Sequence, residues 1–287
     1  MTDSILRLAL PKGRMEASVL QLLGDAGIRV SRGARDYRPT LSLPFTDTKL
    51  LKPQNLVEML DTGTRDLGFA GADWVAELDV DVVEVLDTGL DPVRIVAAAP
   101  VALVAAGWPP SRPIVVASEY ARLAGAWIRQ RGLDARLLRT YGATEVFPPD
   151  DADVIVDNTS TGSTLAANNL QIVDEVLRSS TRLFASRRAM DDPEKRSRIE
   201  EIALLVRSVL DARGRVMLEI NVGPDALDAV VACLPCMREA TVSTLFRNAG
   251  YAVKAAVPRE SLPTLIPKVR ALGGTDLIVT ALSQIVP

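Results

Sequence analysis

DADVIVDNTSTGSTLAANNL, residues 151–170, is the stretch on which the reading of the whole chain turns. Val154, Ile155 and Val156 are β-branched and suit a buried strand, which stops at Asp157. From Asn158 to Thr164 the chain is hydroxyl-rich with one glycine, and from Leu165 onward LAANNL has helical character. A strand, loop and helix start of this kind can aim several backbone N–H groups and Ser/Thr hydroxyls at one anion. Asp153 and Asp157 face the same side of the strand, yet four residues at about 3.3 Å each hold them roughly 13 Å apart. They cannot share one small group. Only Asp157, at the C-terminal mouth where open α/β sheets take ligands, lies beside whatever the loop holds. A carboxylate there suits a sugar phosphate: the acid accepts ribose hydroxyls or helps to hold Mg2+, and the loop takes the phosphate. The same residues also fit a plainer reading, a capped helix after a strand.

Working outward, residues 5–10 read as a strand running into Pro11-Lys12-Gly13-Arg14, followed by helical spacing over 15–26. This loop puts two cations beside a glycine, with Arg14 offering a fork for phosphate oxygens and Lys12 a point charge. Neither GxxxxGK[ST] nor GxGxxG occurs, so no Walker or dinucleotide site is signalled. A charged cluster, Arg35-Asp36-Tyr37-Arg38, precedes a short strand expected over 40–45. A helix is expected over 52–60, then the strand LGFAG presenting Asp73 at its end, either to a ligand or as a helix cap. Two strands, DVVEVL and RIVAAAP, are divided by the turn-like TGLDP. A further β-loop-α unit carries Ser118-Glu119-Tyr120 in its loop, and ARLLRTYG, GATEVFPP and ADVIVD repeat the alternation. Such alternation predicts parallel sheets whose C-terminal loops converge on a cleft between two lobes. The chain returns to the first lobe through 182–187, continues as a one-sided amphipathic helix over 192–213, and ends in a βαββαβ pattern. Pro267 predicts a kink or a late start in the second helix of that pattern.

Composition narrows the chemistry. With 287 residues, 48% of them hydrophobic, the chain can bury two or three compact cores. A formal charge of −3 and the lack of a basic cluster exclude a nucleic-acid footprint. The longest apolar run, 95–108, contains Pro100 and is too short to span a bilayer, and no basic leader precedes it, so a cytoplasmic location is expected. There is no histidine, which removes His bases, triads and His-ligated metals. Cys233-Leu-Pro-Cys236 falls at a helix end late in the chain, the wrong context for a redox or zinc motif.

The 157–164 arrangement resembles the phosphoribosyl pyrophosphate (PRPP) motif of the ATP phosphoribosyltransferase family. LALPKGRM (8–15), DLGFAGADWVAE (66–77), VASEYARLA (116–124) and GATEVFPP (142–149) resemble further blocks of that family in the same order, and 215–287 resembles the regulatory domain of its long form. The resemblance implies a two-lobed, type II periplasmic-binding-protein-like α/β body with a C-terminal ferredoxin-like domain. Lobe I would comprise 1–95 plus 182–213, lobe II 96–181, and the regulatory domain 214–287. It implies transfer of the phosphoribosyl group of PRPP to N1 of ATP with release of pyrophosphate, the first step of histidine biosynthesis. Carried onto this chain, Thr159, Ser160, Thr161, Gly162, Ser163 and Thr164 would hold the 5-phosphate and Asp157 the ribose hydroxyls. Pyrophosphate would lie on Mg2+ with Lys12 and Arg14, and ATP would meet Arg14, Asp73, Glu145 and Tyr120, the last stacking on adenine. Histidine, with AMP as a further candidate, would inhibit at the C-terminal domain near Asn221 and Thr241, in a homo-oligomer shifting between dimer and hexamer. Ala240-Thr241 stands where the family usually has Pro-Thr, which puts the effector loop in question. Two other readings stay open on sequence: a two-lobed protein that closes on a small anion without turnover, and a phosphoribosyltransferase with another nucleophile.

Overall fold

β1 (Leu6–Pro11) buries Leu6, Leu8, Ala9 and Leu10 and opens a computed structural model that describes residues 5–33 and 37–286. Arg35 and Asp36 of the charged cluster lie outside the described residues. α1 (Glu16–Asp25), β2 (Val30–Ser31), β3 (Thr40–Leu41), β4 (Thr46–Leu51), α2 (Pro53–Asp61), β5 (Leu67–Gly71) and α3 (Ala72–Leu78) follow. β1 pairs in parallel with β4 and β5. The strand expected over 40–45 is displaced: only the two-residue β3 lies there, and the sheet strand is β4. Its sequence, TDTKLL, has too many polar residues to announce a strand, although Thr48 and Leu50 face the core.

β6 (Val82–Pro100) is one strand of 19 residues, which corrects the expectation of two. Gly89 (φ 64) and Asp91 (φ 46) adopt the left-handed conformation within it, so TGLDP carries a bulge rather than a chain reversal. α4 (Val101–Ala105), β7 (Ile114–Ser118), α5 (Ala121–Arg131), β8 (Ala135–Arg139), β9 (Val154–Thr159) and α6 (Ser163–Ala167) come next. GATEVFPP forms only a single 3-10 turn, Thr144–Val146. The chain then returns along β10 (Leu170–Ser186), 17 residues antiparallel to β6. The sheet order is β4-β1-β5-β10-β6-β9-β7-β8. The prediction of parallel sheets therefore holds only at the ends, where β4-β1-β5 and β9-β7-β8 are parallel. Between them the two long strands run antiparallel to their neighbours, β10 against β5 and β6 against β9. Because the same pair of strands belongs to both halves, this is a two-lobed, type II periplasmic-binding-protein-like body. Hydrophobic clusters fill each half: Leu56, Leu60, Ala70 and Phe184 in one, and Ile95, Val116, Trp127 and Val156 in the other.

α7 (Arg187–Asp191) and α8 (Pro193–Arg213) follow; α8 buries Ile199, Ile202, Val206 and Val209, the one-sided stripe read from sequence. By internal packing the chain divides into one unit with the residues up to Gln21 and Ile28–Ala203, and another with Leu22–Gly27 and Leu204–Pro287. In the second, β11 (Arg215–Val222), α9 (Leu227–Cys233), β12 (Thr241–Thr244), β13 (Tyr251–Pro258), α10 (Leu262–Ala271) and β14 (Thr275–Ala281) form an antiparallel sheet of order β12-β13-β11-β14. This is the ferredoxin-like βαββαβ unit. α10 starts at Leu262 and runs through Pro267, so the late start does not occur; Pro267 lies in the interior of the helix and forfeits one backbone bond. Cys233 and Cys236 are free, and burial raises the Cys236 thiol above its ordinary value, an unreactive setting. Among the described residues no helix is long and apolar enough to cross a membrane.

Candidate active site

β9 delivers Asp157 to the mouth of a cavity of about 380 Å3 lined by Arg14, Glu145, Asn158 and the hydroxylated loop from Thr159 to Thr164. Within the loop the residues divide in two. Thr159 is buried and its Oγ1 accepts the Gly162 N–H at 3.0 Å, while Ser160, Thr161, Ser163 and Thr164 are exposed to the cavity. Gly162 does not line the cavity; at φ 82 it supplies the left-handed turn that starts α6, a conformation a side chain would strain. Helix α6 begins two residues earlier than LAANNL suggests and has five residues. Thr161 and Ser163 hydroxyls lie 3.0 Å apart, so hydroxyls converge where an anion would sit.

Asp157 is half-buried, and its carboxyl is pushed up to about 6, first by burial and then by the charges of Glu145 and Glu119. The Asn158 N–H, 2.7 Å from Asp157 Oδ1, and the Thr144 hydroxyl pull the other way. Glu145 lines this cavity and not the neighbouring one, so the structure sets it beside the sugar-phosphate loop instead of with the expected ATP residues. Among the described residues no three acidic or cysteine side chains gather as a metal cage. Asp157 and Glu145 on one cavity do fit a cation that keeps most of its coordination on substrate oxygens, as Mg2+ does.

A second cavity, of about 200 Å3, is lined by Lys12, Gln54, Trp74, Glu119 and Tyr120 and shares Arg14 and Asn158 with the first. Arg14 stands between the two. Its guanidinium approaches Asp91 O at 3.5 Å and is otherwise presented to the cavities. Lys12 lies in the second cavity only, its Nζ 3.2 Å from Tyr37 Oη and 4.7 Å from the centre of that ring. The structure thus separates Lys12 from the hydroxylated loop and keeps Arg14 with it.

Two expected ATP contacts, Tyr120 and Asp73, line this second cavity, with their polar atoms engaged within the protein. Tyr120 is 1% exposed, its ring stacks on Trp74 at 4.8 Å, and its hydroxyl donates to Asp73 Oδ2 at 2.8 Å. No open face is left to receive adenine. The half-buried Trp74 is the aromatic surface this cavity offers. Asp73 is 3% exposed with both carboxylate oxygens engaged, the other accepting from Ser179 Oγ at 2.7 Å. Gly71 permits this fold-back, since a methyl group there would collide with Asp73 Oδ1. Asn158, Trp74, Glu119 and Gln54 are site residues that the sequence reading did not single out. Glu119 carried a usable signal, an acid in the loop after a strand; Asn158 and Trp74 carried none.

Asn221 on β11 donates to Asp276 Oδ2 at 3.1 Å, and Thr241 starts the exposed edge strand β12. Register places both on the sheet face away from the helices, because Asn221 opposes Ala252 and Thr241 opposes Lys254 on β13. They are two strands apart and two residues out of step along them, roughly 12 Å, so they are not neighbours.

A two-lobed α/β body that brings a forked cation, a carboxylate and several hydroxyls to one cavity suits a transferase of phosphorylated sugars. The comparisons with known proteins agree with that class and sharpen it. The family model of ATP phosphoribosyltransferase (HisG) matches residues 52–208, and that of the HisG C-terminal domain matches 212–284. ATP phosphoribosyltransferases of Chlorobium phaeovibrioides and Pelotomaculum thermopropionicum are each 34% identical, across 99% and 98% of this chain and 99% of theirs. The structure of the ATP phosphoribosyl transferase (HisG:HisZ) complex from Thermotoga maritima aligns with a TM-score of 0.64 and 25% identity, over 72% of this chain and 99% of that one. The chain belongs to the ATP phosphoribosyltransferase family, in its long form. It transfers the phosphoribosyl group of PRPP to ATP with release of pyrophosphate, the first step of histidine biosynthesis.

Proposed function

We propose that the larger cavity is the PRPP site and that the smaller one takes the adenine end of ATP. The observation that carries this is the placement of Arg14 on the wall common to both cavities, opposite Asp157 and the exposed hydroxyls of 160–164. In this reading Ser160, Thr161, Ser163 and Thr164 hold the 5-phosphate, Thr159 and Gly162 shape their loop, and Asp157 accepts the ribose hydroxyls. Adenine N1 attacks ribose C1 while the bond to pyrophosphate breaks, through an oxocarbenium-like transition state in which negative charge grows on the leaving group. Arg14 meets that charge with two N–H donors, and Lys12 adds a point charge from the ATP side. No strong base is needed, which a histidine-free site with a carboxylate near 6 can meet. Mg2+ held by Asp157 and Glu145 together with PRPP oxygens would offset part of the pyrophosphate charge. We place the lobes at 1–95 plus 182–213 and at 96–181, with the reaction between them, and the enzyme in the cytoplasm.

Incubation with PRPP and Mg2+ should release pyrophosphate with ATP and not with a panel of free bases and other nucleotides; release with another member of the panel in place of ATP would overturn the assignment of the second cavity. The C-terminal unit we assign to feedback control, with histidine, and AMP as a second inhibitor, favouring a hexamer over a dimer. Asn221 and Thr241 share the open face of its sheet, and their separation means that a bound histidine would span the face and not sit between adjacent side chains. Sedimentation velocity with and without histidine should show a shift to the larger species. An unchanged profile, with inhibition retained, would leave closure of the lobes as the route of control.

A further inference from the structure

We propose that Asn158 is a positioning residue for the transfer: its side-chain amide ties the Asp157 carboxylate to the Tyr120–Asp73 pair, so that helix α3 and strand β10 fix the orientation of the acid that receives the ribose. This rests on the reading of Asp157 as the ribose-binding group. Asn158 Nδ2 lies 3.2 Å from Asp157 Oδ1 and 3.2 Å from Tyr120 Oη. Polarity is determined along the whole chain of bonds. Ser179 Oγ donates to Asp73 Oδ1 at 2.7 Å while accepting the Asp73 N–H at 3.0 Å, and Tyr120 gives its single hydroxyl proton to Asp73 Oδ2 at 2.8 Å. The Tyr120 oxygen can then only accept, and Asp157 is an acceptor as well. The group between them must be the NH2 end of the Asn158 amide, with one hydrogen for each.

The buried end of this chain is stiff. Asp73, Ser179 and Tyr120 are 3%, 5% and 1% exposed, and the Tyr120 ring is braced on Trp74. Asn158 also gives its backbone N–H to the same Asp157 oxygen at 2.7 Å, so two donors converge on Oδ1 and set the plane of the carboxylate. Charges facing Asp157 come from Glu145 on the 144–146 turn, Glu119 in the loop before α5 and Arg14 across the cavity, with Tyr120 the other titratable neighbour.

The test is a double-mutant cycle in the full-length enzyme, reading kcat and both KM values at one pH. Asn158→Ala should raise the PRPP KM roughly 10-fold and leave the ATP KM in place. Tyr120→Phe keeps the ring and its stack on Trp74, and should raise the PRPP KM by less. The double variant should be no worse than Asn158→Ala alone, because Tyr120 acts through Asn158. Additive losses would show Asn158 touching substrate independently, and an ATP KM that rises as far as the PRPP KM would show a merely structural role; either overturns the proposal. If Asp157→Asn retains PRPP binding, the underlying reading of the acid fails instead, which is a distinguishable result.

Discussion

Arg14→Ala should lower kcat by about 100- to 1000-fold, the usual loss, about 2.7–4 kcal/mol of activation free energy, when a positioned donor to developing charge is removed. The reason lies in where the side chain stands. Arg14 follows β1 on a loop whose Gly13 adopts φ 94, and among the described residues its guanidinium hydrogen-bonds only Asp91 O, 3.5 Å away. A cation held so loosely to its own protein contributes little to folding, so the thermal midpoint should move by no more than the small amount typical of surface changes. The loss should therefore appear in chemistry. Arg14→Lys should recover part of it, since the charge returns without the planar fork that binds two oxygens at once. Rapid-quench measurement of the first turnover separates the chemical step from product release. A first-turnover rate equal to that of the parent would assign the leaving group to other residues, with Lys12 the nearest cation in the adjoining cavity.

The sequence showed the strands and the anion loop because both depend on local pattern. Val154-Ile155-Val156 and the hydroxyls around one glycine state their geometry locally, although the strand does not stop at Asp157: β9 runs on to Thr159, because Ile95 and Arg94 of β6 pair with Asn158 and Thr159. What it hid depends on pairing between distant residues. TGLDP has the composition of a reversal, and only pairing with β10 shows that the chain continues straight through it. β4 is polar in sequence and is a strand because β1 lies beside it. Tyr120 and Asp73 look available to a ligand until their polar atoms are found to satisfy each other and Ser179. Asn158 gains its place from two partners, one of them 38 residues away.

Asp157→Asn should abolish productive PRPP binding and, at pH 8, make the protein more stable. Burial, with the charges of Glu145 and Glu119, pushes the carboxyl up to about 6 in the folded chain, from an ordinary value of 3.8. A carboxyl whose folded value is raised holds its proton more tightly when native, so its ionised form costs stability at any pH above about 6. That cost shrinks as pH falls from about 6 toward 3.8 and is absent below. Asparagine carries no such charge beside Glu145 and Glu119. Discounted for partial exposure, the gain should be on the order of 1–2 kcal/mol at pH 8, a rise in Tm of roughly 2–8 °C, and it should vanish near pH 4. Binding should move the opposite way. In the parent, kcat/KM for PRPP should decline as pH drops below about 6, while the residual activity of the variant stays flat over the same interval. Differential scanning calorimetry at the two pH values, with PRPP titrations at pH 8, measures both effects. A variant less stable than the parent at pH 8 would mean that donors from Asn158 and Thr144 outweigh burial and the two neighbouring acids, and that the carboxylate is held in place to support the fold. A more stable variant without PRPP binding would identify a charge retained against folding because the sugar requires it.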